Sequence, residues 1–89
     1  MVEVDSGIIS GGYSQSVTLP QKCSLVVAAQ GLSGSDYILL NLVALHPGDT
    51  FMNNQTAYGG VSFSSDGLHI RMINDESIVN TFVQYIAFQ

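Results

Sequence analysis

Cationic charge is nearly absent from this chain: Lys22 and Arg71 are its only basic residues, against seven carboxylates, for a formal net charge of -5. Two cations cannot neutralise a track of phosphates, so nucleic-acid binding is excluded as a main function. The negative balance argues equally against anionic membrane surfaces. Cys23 is the single cysteine, which rules out an intrachain disulfide. Its neighbours Ser24-Leu25-Val26-Val27 mark it as a small buried hydrophobe, because a reactive thiol needs basic company and only Lys22 is near. A membrane-spanning helix takes about 20 apolar residues. The most apolar run here, Tyr37 to Leu45, carries Asn41 at its centre and stops at His46-Pro47-Gly48, so no membrane insertion is expected. The opening Met1-Val2-Glu3-Val4-Asp5-Ser6-Gly7 has neither a basic nor an apolar leader region, so no secretory signal is read there. A product acting outside the cell then leaves by another route, such as lysis with an assembled particle.

Charged residues as a whole are 10% of the chain, less than half the usual ~25%. Ser, Asn, Gln, Thr and Gly must cover the surface instead, a composition that suits extracellular or virion-borne surfaces where contacts run through neutral polar groups. A chain of 89 residues makes a single domain, 1–89, near the lower end of what folds alone. Domains of this size gain from disulfides, metals or association, and association is the staple left open.

The residues that are present read as strands. Tyr37 to Leu45 is apolar on both period-two faces, which predicts an inner strand against which the rest packs. Val2 to Val4 reads as a short strand ended by Asp5-Ser6-Gly7, with Ile8 to Ser10 as a possible continuation and Gly11-Gly12 as a break. Tyr13 to Leu19 alternates like a half-solvated strand closed by Pro20. Cys23 to Gln30 predicts a second buried strand, with Gly31 to Asp36 as a loop. His46-Pro47-Gly48-Asp49 fits a type II turn. Thr50 to Met52 is a short strand and Asn53 to Gly60 a second polar loop. Val61 to Ser65 and Leu68 to Ile73 flank Asp66-Gly67 as a type I′ hairpin, with Phe63 opposite Ile70 and Val61 opposite Met72. Asn74 to Ser77 is a turn. Ile78-Val79 leads into a last strand, Asn80 to Gln89, apolar on both faces. No helical repeat with a cap occurs. The expected fold is all-β, a small antiparallel β-sandwich of about six to seven strands. Two strands greasy on both faces exceed what one small sandwich needs, so a neighbouring copy is expected over one outer face.

Chemistry is sparse. His46 and His69 are the only histidines, one in a turn and one on the polar side of the hairpin; a metal site needs two or three such ligands converging with a carboxylate, and although Asp49 follows His46 by three residues, both read as solvated residues. No serine stands in a nucleophile elbow. Asp5, Asp36, Asp49, Asp66 and Asp75 all fall at predicted turns, where side-chain-to-backbone hydrogen bonds account for them. Neither Gly11-Gly12 nor Gly59-Gly60 precedes a helix that would hold a phosphate. No enzyme activity, cofactor or metal is therefore expected. The candidate ligand-binding residues are those of two polar loops that embed an aromatic: Asp36 and Tyr37, and Asn53, Asn54, Gln55 and Tyr58. An aromatic ring stacks on the C–H face of a sugar while neighbouring amides bond its hydroxyls.

In Val17-Thr18-Leu19-Pro20, in the Val/Ala-rich strand Leu25 to Ala29, and in the hairpin leading to Val83-Gln84-Tyr85-Ile86-Ala87-Phe88, the chain resembles the C-terminal tip domains of bacteriophage tail fibres and related bacteriocin fibres. Those domains close with Tyr-Trp-Ile-Ala-Ile-Gly where this chain has Gln84-Tyr85 and no tryptophan. The resemblance implies a β-sandwich knob, usually trimeric, that sits in a phage or prophage virion tail and binds a host-surface polysaccharide or protein. It supplies no matched binding residues. The rival expectation is a purely structural assembly or decoration protein of the virion.

Overall fold

Strand β7 (His69–Ile73) shows in five residues how the molecule is built: Ile70 and Met72 are buried, His69 and Arg71 exposed. The computed structural model describes residues 1–11, 14–34, 36–74 and 80–89, and repeats that alternation through two four-stranded antiparallel sheets. Sheet I has the order β1 (Glu3–Ser10), β8 (Thr81–Phe88), β3 (Leu25–Leu32), β4 (Ile38–Leu45). Sheet II has the order β2 (Gln15–Thr18), β7, β6 (Gly60–Phe63), β5 (Thr50–Met52). The fold is an all-β sandwich. Its eight strands slightly exceed the six to seven expected, and Glu3–Ser10 runs as one strand without the expected stop at Asp5-Ser6-Gly7.

Between the sheets lies one core. Sheet I contributes Ile9, Val26, Ala28, Leu45, Val83 and Ala87, and sheet II contributes Val61, Phe63, Ile70 and Met72. Tyr85 also faces inward and donates its hydroxyl to Asp5 Oδ2 at 3.0 Å. Burial, with the adjacent Asp5 carboxylate, pushes that hydroxyl up to about 12. Gly7 lies opposite Tyr85, and a Cβ there would stand 3.1 Å from its hydroxyl oxygen. Close approach of the ring explains why a glycine expected to end the first strand sits inside β1 instead. Cys23 is buried as expected, and burial followed by the Asp5 charge raises its thiol pKa.

The hairpin has the expected register, Val61↔Met72 and Phe63↔Ile70, but not the expected turn. Gly67 N–H donates to the Ser64 carbonyl and Ser64 N–H to the His69 carbonyl, with Gly67 at φ 73°. The tight turn is thus Ser64–Gly67, one residue earlier than a type I′ loop over Asp66-Gly67 requires. Asp66 fixes this form by accepting the Leu68 N–H and the Ser64 hydroxyl. Those bonds, the Ser64 one foremost, hold its carboxyl below the usual range. The His46–Asp49 turn is as expected, with Asp49 N–H on the His46 carbonyl and Gly48 at φ 94°.

The largest correction concerns β4. It is an edge strand rather than the inner one, and β3 and β8 occupy the middle of sheet I. Ile38, Leu39 and Leu42 are consequently exposed at 53%, 64% and 67%. Gly31 and Leu32, expected in a loop, belong to β3. The expected Asn74–Ser77 turn beyond Asn74, and Ile78-Val79, lie outside the described residues, as does Tyr13 at the expected start of β2.

Candidate functional site

Antiparallel pairing collects residues 33–34, 36–37 and 53–59 at one end of the sandwich, with the C-terminal end of β1 and the N-terminal end of β8. Both stretches of candidate binding residues are therefore at this loop end, but they serve different surroundings. Asn53 is committed to bonds within the protein, one to β4 and two within its own loop. Its Nδ2 donates to Asn41 Oδ1 at 2.5 Å, its Oδ1 accepts Gln55 N–H at 2.8 Å, and its N–H bonds the Gly59 carbonyl. The Tyr58 carbonyl accepts from the buried Gln30 amide at 2.7 Å. These bonds close the seam between the sheets and hold a short 3-10 turn, Thr56–Tyr58. Asn54 and Gln55 are exposed beside it.

Tyr37 goes the other way, onto the back of sheet I, the side facing away from sheet II. Its ring is 80% exposed and meets Phe82 edge-on, centroids 5.9 Å apart and planes at 80°. Phe82 in turn lies over Gly31, where a Cβ would come within 2.6 Å of its ring. A glycine on the neighbouring strand thus makes room for the ring to lie flat across the sheet. The two aromatics flank a groove of about 490 Å³ lined also by Ile8, Ser10, Ser33 and Gln84. Of the six candidate residues Tyr37 alone lines it; Asp36 is exposed next to it. No lining residue carries a charge, and Arg71 lies on the opposite sheet.

The groove residues that sequence reading missed come from pairing across the whole chain. Ile8 stands opposite Gln84 and Ser10 opposite Phe82, so the floor forms only when the two terminal strands meet. The readable signal was the outward set of β8, Phe82, Gln84, Ile86 and Phe88, within a strand apolar on both sides.

The groove opens onto a wider surface. In register, the back of sheet I presents Ser6, Ile86, Val27 and Ala44 in one row, and Ile8, Gln84, Ala29 and Leu42 in the next. Neither row contains a charged residue. The arrangement offers stacking, hydrogen bonding to neutral groups and apolar contact, with no group set to transfer a proton or bind a metal. The histidine pairs with Asp49 at 3.7 Å and Asp66 at 3.5 Å are exposed turn contacts at other places. Among the described residues no three metal-ligating side chains gather, and no helix is long and apolar enough to cross a membrane. No family model, no curated protein and no solved structure matches the chain.

Proposed function

We propose that the chain is a self-associating attachment module of the tail-fibre-tip kind: copies assemble over the part of the back of sheet I that lies away from the groove, around Ile86 and Leu42, and the loop end meets a host-surface glycan or protein. The observation that supports this reading is the pair of uncharged, largely apolar rows across the back of sheet I, with Leu39, Leu42 and Ile86 left exposed. Full burial of such side chains is worth about 1.5–3 kcal/mol each. Association opposes this with a comparable loss of translational and rotational freedom. Light scattering over a dilution series through the micromolar range reads assembly directly. A stable monomer throughout that range overturns the proposal. Receptor contact falls to the Tyr37–Phe82 groove, whose uncharged lining suits a neutral saccharide or a polar protein loop. A glycan array and a host-cell binding assay with the assembled protein test this part. Binding that disappears in Tyr37→Ala supports attachment, whereas a clean negative with an intact oligomer leaves a structural virion component without a receptor.

A further inference from the structure

A sandwich of two open sheets has four edge strands, and each exposes a row of unpaired backbone groups that invites another strand. Folded proteins blunt such edges with short strands, charges, proline or bulges. Three of the four edges here are blunted. β2 has four residues and β5 has three. β1 is long, but it carries Glu3 and Asp5 with a bulge between them.

β4 is the exception. It runs eight residues, Ile-Leu-Leu-Asn-Leu-Val-Ala-Leu, without a charge or a proline. Its one irregularity, opposite Gln30/Gly31, lies near the loop end and leaves Asn41 to Leu45 regular. Leu42 and Ala44 lie on the back of the sheet beside this edge, and among the described residues no strand lies beyond it.

We propose that the partner of this edge is β4 of a second copy, paired antiparallel about a two-fold axis. An identical strand is the partner for which an uncharged edge holds no like-charge penalty. Pairing also satisfies the open backbone groups while bringing the Leu42 side chains of both copies together. The product is a continuous eight-stranded sheet whose two apolar backs merge into one. This inference rests on the self-association proposed above and adds a second contact to it, one that widens the apolar back instead of covering it. The contact is two-fold, so it differs from the three-fold ring that the fibre-tip resemblance implies.

Hydrogen exchange of the full chain at low and high micromolar concentration, run beside light scattering, tests it. The expected result is a dimer whose concentration-dependent protection is confined to β4. Leu42→Lys, which puts a cation beside the edge, is expected to raise the dissociation constant about tenfold or more. Ile86→Lys, on β8 and two strands inside the edge, keeps at least the dimer. An oligomer whose β4 amides exchange at the same rate at both concentrations overturns the edge pairing and leaves assembly through the sheet back standing. The same conclusion follows if Ile86→Lys is monomeric. A chain monomeric at every concentration overturns both.

Discussion

The two sheets are matched in strand number and share one core, yet their backs are opposites. The back of sheet II carries Ser16, Arg71, Ser62 and Thr50 in one register row and Thr18 and His69 in the next. The corresponding rows of sheet I are Ser6, Ile86, Val27, Ala44 and Ile8, Gln84, Ala29, Leu42. Strand geometry is indifferent to this choice, since an antiparallel sheet tolerates water on one side. The difference lies only in the residues at outward positions. Hydroxyls and two cationizable groups keep sheet II in solvent, whereas sheet I is built like a surface that is to be covered.

The contrast breaks most visibly under charge. Leu42→Arg on the back of sheet I is expected to shift the protein from oligomer to monomer in light scattering. Ser62→Arg on the back of sheet II leaves the mass unchanged. Next in size is a pair of phenylalanines. Phe63 lies between the sheets at 1% exposure, so Phe63→Ala is expected to lose about 3–5 kcal/mol in denaturant unfolding. Phe82→Ala on the outer side loses less in the monomer, about 1–2 kcal/mol, since the ring is only partly buried and its removal leaves no enclosed cavity. An equal loss at both positions would mean that the back of sheet I is buried in the unit being unfolded.

Alkali probes the inner side alone. Because folding raises the Tyr85 hydroxyl from 10.0 to about 12, the neutral form is favoured in the folded state. Its contribution is complete below pH 10 and is lost as pH rises through about 12. The loss amounts to roughly 3 kcal/mol in a pH series of unfolding curves. Tyr85→Phe flattens that slope. The smallest expected effect belongs to the solvated sheet. His69→Ala and Arg71→Ala are each expected to shift stability by no more than about 0.5 kcal/mol in the same assay.

What could be read from the residues divides by the distance over which the chain must pair. The Phe63↔Ile70 register was legible because turn and alternation lie within a dozen residues and agree. The exact turn was not, because Cys23 takes part: its N–H bonds the Gly67 carbonyl, and a Cβ on Gly67 would lie 2.6 Å from the Cys23 carbonyl. That contact comes from a segment more than forty residues away. The apolar excess of Tyr37 to Leu45 was also legible, but its place at an edge was not. Two-sided greasiness marks a strand that needs cover on both faces, whether the second cover is another layer of the same fold or another molecule. Likewise Tyr37 was legible as an aromatic in a polar loop, while Phe82, Ile8 and Gln84 join it only through the β1–β8 pairing.

That pairing also sets the order in which the molecule is able to form. β8 separates β1 from β3 in sheet I, so during synthesis the two earlier strands wait with their inner sides unmatched until residue 88 has been added. In sheet II β2 likewise waits for β7, but β5, β6 and β7 follow one another along the chain and pair without delay. The nascent polypeptide is thus expected to hold a formed hairpin early and to close its long-range layer late, in the milliseconds-to-seconds regime of non-local β topologies. Until then it carries β4, its least protected strand, without the β3–β8 platform to hold it in place.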